Sequence, residues 1–416
     1  MCLSRRLRVW LPATVALAAL ALSLVCASAA PAATPSIDGI SDQNLAYWNG
    51  DVWNGGPSPS PFGQFLTATL VDGPAAPLKY ARYVVAYDVM CDQSGPAYGV
   101  FRTWLEDVQS LGLTPVVAFW YGHFDGNSCA TLPAIPSTPA QYNDGTAGVG
   151  ALLRAFPAVR VIEAWNEPNN GRGPDVPPAT AAAFWAAARG DCATGTCDTV
   201  IAGDFNDAQS NLVPYEHQYV AALGGADPLD WGIHPYAAVN DHETATLSAF
   251  YAGLPNPALD RVWYTEVGAY YCTPKRNTQN GSTPAALQSA QEASAHYLVN
   301  TLMETPFTPV HVFYYEFMYK NNLAGPCADR DSALYEPAGA SSSSAYLPRS
   351  AVQDVLPAAA LAAGPAVAPA VATAESWVYY PIPNWQIWSD PWHATSSGSP
   401  RASPAADRQA VSRGRR

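Results

Sequence analysis

Short apolar runs alternate with segments of helical periodicity along most of the chain. Eight of these runs are rich in Val, Ile, Tyr and Trp and show little apolar–polar alternation, which is typical of parallel strands covered on both faces. They are residues 37–41, 81–88, 114–121, 159–166, 199–205, 229–236, 261–268 and 310–317. The pattern therefore predicts eight strands of one mostly parallel sheet.

Helical segments lie between these strands. Residues 98–112 and 179–190 each end on a glycine, which is a common stop signal. Residues 283–304 begin with Thr283 and Pro284, a cap and a first-turn residue. Strands that alternate with helices predict a (β/α)8 TIM barrel, an α/β fold with a single catalytic domain over residues 36–363. A doubly wound open sheet is the alternative, but the glycine-rich phosphate loop it normally carries is absent from the sequence, and we expect no cofactor.

The two ends of the sequence differ from the predicted barrel. Residues 1–29 combine arginines, an apolar core and small residues before a cleavage point, the pattern of a secretory signal peptide. No second apolar run reaches the length of a bilayer span, so we expect no membrane span in the mature chain. Residues 364–416 consist of an Ala/Pro-rich linker and a Trp-rich, basic tail that we expect to be disordered, although it could also contact a glycan or the cell surface.

Composition and charge narrow the function classes. Hydrophobic residues make up 49% of the 416 residues and charged residues 13%, so a large core is available. The net charge of −13 argues against nucleic acid as a partner, which needs a cationic surface. The sequence has no GxSxG elbow and no HExxH motif, which disfavours a serine hydrolase and a zinc protease of those types.

The number of cysteines is consistent with the predicted secretion of the chain. Six cysteines follow the predicted signal peptide, and an even number in an oxidising compartment indicates three disulfides, with 15 possible pairings. We expect the pairs to join neighbouring loops: Cys91–Cys129, Cys192–Cys197 and Cys272–Cys327. A metal site is the alternative, but no CxxC or His-rich spacing supports it, and we predict none. The chain is expected to be a secreted monomer.

Two glutamates stand out because they end corresponding strands. Glu167 follows the fourth predicted strand in the tetrad Asn166-Glu167-Pro168-Asn169, and Glu266 ends the seventh in "VWYTEVGAY". Functional side chains of a (β/α)8 barrel lie at the C-terminal ends of its strands, so both carboxyl groups should face one mouth. Hydrolysis of a glycosidic bond needs such a pair, one as proton donor and one as nucleophile or base.

At these residues the sequence resembles the clan A glycoside hydrolases, whose two catalytic glutamates end barrel strands four and seven. The stretch "EAWNEPN" is similar to the strand-four signature of its β-xylosidase-like and iduronidase-like members. The resemblance implies that Glu167 is the general acid/base, Glu266 the nucleophile and Asn166 a ligand of the substrate 2-hydroxyl. "IHPYA" on strand six also matches, and it implies that His234 and Tyr236 lie at the mouth.

The resemblance extends to weaker matches. Arg82 is similar to a strand-two arginine that braces the nucleophile, and strand eight offers Tyr314 or Tyr315 where many members carry a tryptophan platform. Aromatic residues after strand three, Trp120 among them, suit the packing of sugar faces, although core filling is the alternative. We expect Glu163 to be a buried, hydrogen-bonded acid pointing into the barrel.

These expectations converge on a secreted retaining β-glycosidase or endoglycanase that acts on an oligosaccharide, polysaccharide or glycoconjugate by double displacement. Two alternatives stay open. One is a non-catalytic barrel that binds carbohydrate or cell wall, and the other is a transglycosylase that uses the same site. The sugar, the linkage and the choice between endo and exo cleavage are not specified by the sequence.

Overall fold

The chain folds into a closed barrel of eight parallel strands, as predicted. The computed structural model describes residues 37–41, 78–122, 129–170, 176–273, 283–304, 306–316, 331–337 and 346–355. The barrel strands are β1 Ile37–Ser41, β2 Tyr80–Ala86, β3 Thr114–Trp120, β4 Val161–Glu163, β5 Thr199–Asn206, β6 Asp230–His234, β7 Arg261–Val267 and β8 His311–Tyr314. A separate antiparallel hairpin pairs β9 Tyr335–Pro337 with β10 Tyr346–Pro348.

Helices lie between consecutive barrel strands from β2 to β8. The helices are α1 Pro96–Ser110, α2 Pro139–Tyr142, α3 Val149–Ala155, α4 Pro178–Cys192, α5 Leu212–Ala222, α6 Tyr236–Asp241, α7 Thr244–Gly253, α8 Pro284–Tyr297 and α9 Val352–Val355. A 3₁₀ turn, Val89–Cys91, follows β2, and a π-helical turn, Leu298–Leu302, extends α8. None of the helices in the described ranges combines the length and apolar character that a bilayer crossing requires.

The register of the strands closes the sheet. Ile40 of β1 pairs with Ala81 of β2 on one side and with Tyr314 of β8 on the other. All eight strands match the predicted runs within three residues at each end. The fourth is shorter than predicted: regular pairing stops at Glu163, and residues 164–170 form the loop that carries the tetrad.

The stop and capping residues predicted from the sequence are found at the helix ends. Helix α1 starts at Pro96 and ends before Gly112, whose φ of +70° is a conformation that glycine adopts without strain. Thr283 caps α8, because its hydroxyl accepts a hydrogen bond from the amide of Ala286, and Pro284 is the first helical residue. Both features agree with the sequence analysis.

The apolar core has two parts. The larger part lies between strands and helices, and a smaller cluster fills the lower interior of the barrel with Val116, Val161, Ile201, Trp263 and Phe313. Gly39 makes room for this cluster, because a Cβ on Gly39 would lie 2.4 Å from the Phe313 ring. The packed interior leaves only the opposite end, at the C-terminal ends of the strands, for polar chemistry.

The predicted domain limits are only partly within the described residues. Ser36–Arg416 belongs to one compact unit, and the preceding unit, Met1–Pro35, lies outside the described residues together with the predicted signal peptide. The predicted linker and tail, residues 364–416, also lie outside them.

Candidate active site

Glu167 and Glu266 meet at the C-terminal end of the barrel. The side chain of Glu167 is 12% exposed and that of Glu266 is 13% exposed, within surroundings that are otherwise mostly buried. One carboxylate oxygen of each, together with a ring nitrogen of His234, lies within 4.8 Å of the others. The two acids that the sequence analysis singled out therefore share one opening.

The Glu167 carboxylate accepts hydrogen bonds at both oxygens. Oε1 lies 2.6 Å from Nδ2 of Asn206 and 2.9 Å from Nδ1 of His234, and Oε2 lies 2.5 Å from Nδ2 of Asn170. Burial alone would raise the pKa of Glu167, but the hydrogen bond and charge of His234, with the two amides, lower it. The backbone of Glu167 has a φ of +46°, an uncommon conformation for a side-chain-bearing residue that is often found at functional sites.

Two donors hold the Glu266 carboxylate. Nη1 of Arg82 donates to Oε2 at 2.7 Å, and the phenol of Tyr236 donates to Oε1 at 2.6 Å. The pairing of β7 with β8 shifts register between Tyr264 and Val267, at the place where Glu266 turns toward the mouth. A cation and a hydroxyl donor thus fix the orientation of the Glu266 carboxyl group at the mouth.

Arg82 lies beneath the Glu266 carboxylate and contacts several polar side chains at once. Its side chain is fully buried, and its guanidinium donates to both oxygens of Glu163 at 2.7–2.9 Å, to Oδ1 of Asn166 at 2.7 Å, to Oδ2 of Asp204 at 3.1 Å and to the hydroxyl of Ser41 at 3.2 Å. Burial would lower the pKa of Arg82, but the surrounding carboxylates raise it well above its ordinary value. Arg82 thus braces Glu266, as expected, but it lies beneath the site, out of a substrate's reach.

The buried acids differ in protonation. Burial raises the pKa of Glu163 well above its ordinary value despite the charge of Arg82. Burial acts in the same direction on Asp204, but the charges of His234 and Arg82 outweigh it and lower the pKa of Asp204. A side-chain hydrogen bond between Glu163 and Asp204 contributes to both shifts, because it raises the pKa of Glu163 and lowers that of Asp204. The expectation that Glu163 is a buried, hydrogen-bonded acid is confirmed.

His234 lies deeper than the sequence analysis expected. Its side chain is fully buried, with Nδ1 2.9 Å from Oε1 of Glu167 and Nε2 3.0 Å from Oδ1 of Asp204. Burial would lower the pKa of His234, but Asp204 and Glu266 raise it well above its ordinary value, so both ring nitrogens carry protons. His234 therefore lies beneath the mouth and contacts Glu167 through Nδ1.

Asp204 and Asn206 are site residues that the sequence analysis missed. A register shift between Gly203 and Phe205 distorts β5, with φ of +79° at Gly203 and +59° at Asp204. Such a bulge re-aims side chains. A Cβ on Gly232 of β6 would lie 2.9 Å from Oδ1 of Asp204, so the glycine makes room for this carboxylate. Both missed residues end a predicted strand, which was a usable signal.

Asn166 and the aromatic residues line the site near the two glutamates. Because Oδ1 of Asn166 accepts from Arg82, its Nδ2 is the remaining donor for a ligand. Tyr236 stacks on Tyr270 with ring centroids 5.4 Å apart, and half-buried Tyr315 meets Tyr236 edge-on at 6.3 Å. Half-buried Trp120 ends β3 and packs edge-on against Tyr121. These rings lie where sugar faces could pack, at the strand ends around the mouth.

Glu167, His234 and Glu266 also satisfy the distances of a three-ligand metal site. Their chemistry does not fit one. All four carboxylate oxygens already accept hydrogen bonds, and His234 donates through both nitrogens, which leaves it without a lone pair for a cation. The cluster is better matched to a pair of carboxyl groups that work without a metal.

Two of the expected disulfides are present. Cys91 is bonded to Cys129 and Cys192 to Cys197. Cys272 is also disulfide-bonded, and its expected partner, Cys327, lies outside the described residues. The Cys91–Cys129 bond ties the 3₁₀ turn after β2 to the segment after β3, close to the mouth of the barrel.

No protein-family model and no curated protein matches this sequence. Similar solved structures include a family 39 glycoside hydrolase from the gut symbiont Bacteroides cellulosilyticus WH2, with 16% identity and a TM-score of 0.42 over 73% of this chain and 60% of that one. A glucosidase from Croceicoccus marinus has 13% identity and a TM-score of 0.44, over 68% and 60% respectively. A GH5_18 protein from Streptomyces cattleya in complex with GlcNAc has 14% identity and a TM-score of 0.47, over 73% and 76%. The chain thus spans 60% of the length of the first two.

Proposed function

We propose that this chain is a secreted retaining glycoside hydrolase that cleaves β-linked sugars by double displacement. The observation that carries the proposal is the separation of the two carboxyl groups, with oxygens of Glu167 and Glu266 within 4.8 Å of each other. Retaining enzymes hold their two carboxyl groups about 5–5.5 Å apart, whereas inverting enzymes need about 6.5–9.5 Å to admit a water molecule. The spacing in this site supports direct attack by one carboxylate.

The surroundings of the two acids support a division of roles. Glu266 is held in a fixed position by hydrogen bonds from Arg82 and Tyr236, which suits the role of nucleophile. Glu167 has no arginine or lysine among its side-chain hydrogen-bond partners in the described residues; its partners are two amides and His234. A carboxyl group held in this way can alternate between acid and base more readily than one in an arginine salt bridge.

The two steps balance as follows. An oxygen of Glu266 attacks the anomeric carbon, the bond to the leaving oxygen breaks, and Glu167 gives its proton to that oxygen. Glu167, now ionised, takes a proton from water, and the hydroxide adds to the anomeric carbon and releases Glu266. The present donors favour ionised Glu167. A sugar packed over the carboxyl excludes water and favours the neutral form, so we expect Glu167 to take up its proton together with substrate.

The compartment and the substrate class follow from the surroundings of the site. Disulfides form and persist in oxidising compartments, which supports secretion. The mouth offers aromatic faces and amide donors, and Arg82, the cation nearest Glu266, is buried and matched by carboxylates. This arrangement suits uncharged sugars.

The test compares Glu167→Ala and Glu266→Ala on a panel of aryl β-glycosides. Glu266→Ala should abolish turnover for all leaving groups. Glu167→Ala should lose about 100-fold or more with a poor leaving group and much less with dinitrophenol, and azide should restore turnover as a β-glycosyl azide. Glu106→Gln, on the exposed face of α1, is the control with unchanged activity.

The same panel of aryl β-glycosides can also give results that contradict the proposal. Binding of sugars without turnover by wild-type protein would indicate a carbohydrate-binding barrel instead. Products that contain an added acceptor sugar would indicate a transglycosylase. Release of the inverted anomer would reject the double displacement.

A further inference from the structure

The turn that carries Tyr236 is anchored by Asp207, a buried acid that directly follows β5. Oδ1 of Asp207 accepts a hydrogen bond from the backbone amide of Ala237 at 2.7 Å, and Oδ2 accepts from that of Ala238 at 2.8 Å. The backbone amide of Asp207 donates in return to the carbonyl of His234 at 3.1 Å. These bonds tie the chain after β5 to the turn between β6 and α6.

Burial makes the ionised form of Asp207 costly. Desolvation raises the pKa of Asp207 to about 7, although the two backbone amides and the charge of His234 lower it. Titratable side chains face Asp207 from β6, α6 and β7: they are His234, Asp241 and Tyr264. Strongly shifted acids cluster at functional sites, so Asp207 is a candidate for a role in the chemistry as well as in the fold.

Asp207 is also adjacent in sequence to a residue that holds the other glutamate of the site. Nδ2 of Asn206 donates to Oε1 of Glu167 at 2.6 Å. The turn anchored by Asp207 begins α6 with Tyr236, whose phenol donates to Oε1 of Glu266 at 2.6 Å. The dipeptide Asn206-Asp207 thus contacts Glu167 directly and Glu266 through this turn. A shift of the turn relative to β5 would change the separation of the two carboxyl groups.

We propose, on the basis of the function proposed above, that Asp207 is a positioning residue that holds Tyr236, and through it Glu266, in place for attack. In its ionised form each oxygen of Asp207 accepts from one backbone amide. In its neutral form one oxygen carries a proton and is a poorer acceptor, so one of the two bonds weakens. Tyr236 is then held less firmly, and the site is fully assembled only above about pH 7, where Asp207 is ionised.

Asp207→Asn tests this role with a dinitrophenyl β-glycoside, whose leaving group departs without a proton from Glu167. The substituted side chain is neutral at every pH and accepts from only one of the two backbone amides. Wild type should therefore exceed Asp207→Asn in kcat/KM about tenfold at about pH 8.5 and less than about twofold at about pH 5.5. The midpoint of this change should lie near pH 7. A ratio that is constant with pH would overturn the proposal.

A double-mutant cycle with Tyr236→Phe shows whether Asp207 acts through Tyr236. At about pH 8.5, Asp207→Asn should cost about tenfold in kcat/KM when Tyr236 is present and less than about twofold in the Tyr236→Phe background. Losses that multiply in the double variant would mean that Asp207 does not act through the phenol, and they would also overturn the proposal.

Asp144→Asn is the matched control. The carboxylate of Asp144 likewise accepts from two backbone amides, those of Thr146 at 2.8 Å and Ala147 at 2.9 Å, in the loop between α2 and α3. Asp144→Asn should leave kcat/KM unchanged at both pH values. Urea unfolding establishes whether Asp207→Asn and Asp144→Asn are folded under the assay conditions.

Hydrogen exchange in wild type supplies a measurement that needs neither a folded variant nor turnover. The protection factors of the Ala237 and Ala238 amides should rise as pH increases through about 7, because ionised Asp207 holds both. The protection factor of Ala147 should not change in this range. Unchanged protection of Ala237 and Ala238 would overturn the role of Asp207. If Glu266→Ala retains turnover, the proposed function fails instead, whatever the exchange result.

Discussion

The phenol of Tyr236 donates a 2.6 Å hydrogen bond to Oε1 of Glu266, and its ring stacks on Tyr270. Burial and the charge of Glu266 raise the pKa of Tyr236 well above its ordinary value, so it remains a donor. Tyr236→Phe keeps the ring and removes only this bond. A hydrogen bond to a charged group contributes about 1.5–3 kcal/mol, so we expect kcat/KM to fall about 10- to 100-fold.

Tyr251→Phe is the matched control for this measurement. The phenol of Tyr251 donates to the backbone carbonyl of Phe307, away from the mouth, so its removal should leave kcat/KM unchanged. A change of less than about twofold in Tyr236→Phe would mean that this bond does not support the attacking group.

Asp204→Asn should destabilise the fold strongly. Asp204 is buried, and its carboxylate balances the positive charges of two neighbours. Oδ2 lies 3.1 Å from Nη2 of Arg82, and Oδ1 lies 3.0 Å from Nε2 of protonated His234. Removing one partner from a buried ion pair costs about 3–5 kcal/mol, because the remaining charges lose their compensation. Urea unfolding measures this loss. Asp198→Asn, which breaks the exposed pair with Arg160, should have a much smaller effect, and equal losses in both variants would contradict the prediction.

The pH dependence of the same variant follows from His234. Its pKa is raised in the folded chain, so its contribution to stability is complete below the unfolded value of 6.5 and is lost as pH rises through the folded value. Without Asp204 the pKa of His234 should be raised less. The decrease in unfolding free energy that begins near pH 6.5 should therefore end at a lower pH in Asp204→Asn than in wild type, and decreases that end at the same pH would show that Asp204 does not stabilise the charged imidazole.

Glu216 should weaken the fold as pH rises. It is fully buried in α5 and neither carboxyl oxygen has a hydrogen-bond partner in the described part of the chain, so burial raises its pKa to about 8. A raised carboxyl pKa costs no stability below the unfolded value, about 4.5, and an increasing amount as pH rises toward 8. Glu216→Gln removes this cost, so its advantage over wild type should grow by about 1.4 kcal/mol per pH unit across that range.

Unfolding of Glu216→Gln and wild type at several pH values from 4.5 to 8 checks this expectation. Gly253 of α7 leaves the room that the carboxyl group occupies, because a Cβ there would lie 2.7 Å from Oε1 of Glu216. The amide has nearly the same size and fits this space. Glu106→Gln, on the solvent-exposed face of α1, should show no such trend with pH. A parallel pair of curves for Glu216→Gln and wild type would show that Glu216 ionises in the folded state.

The two disulfides should contribute unequally. Cys91 and Cys129 are 38 residues apart and Cys192 and Cys197 are 5 apart. The chain-entropy model gives about 4 kcal/mol for the longer loop and about 2 kcal/mol for the shorter one. Double Cys→Ala variants, compared by urea unfolding, should therefore differ by about twofold in lost stability. Equal losses would mean that native contacts, not loop closure, dominate.

Much of the fold and the pair of acids could be predicted from the sequence. Unbroken apolar runs mark strands covered on both faces, and their number and alternation with helices specify the barrel. Glu167 and Glu266 could be recognised because each follows such a run. The rule that strand ends carry the chemistry depends only on topology, and it therefore works without knowledge of side-chain contacts.

The contacts of the buried residues beneath Glu167 and Glu266 could not be predicted in the same way. Asp204 faces Arg82 only because β5 is distorted at Gly203, and a shift of one residue moves side chains between the two faces of a strand. Periodicity does not reveal such a shift. The depth of His234 depends on carboxylates from the loop after β4 and from β5, 67 and 30 residues away in sequence, so its burial follows from tertiary packing alone.

Because the guanidinium of Arg82 joins side chains of β1, β4, β5 and β7 at once, no contiguous fragment shorter than β1–β7 contains this set of partners. A truncated chain that stops before β7 would leave this cation short of a carboxylate and would lack Glu266. Complementation of two separately expressed halves, cut between β5 and β6, should restore turnover only when both halves assemble. The contacts of Arg82 are thus complete only when β7 has joined β1 to β5 in one sheet, so we expect them to form late in folding.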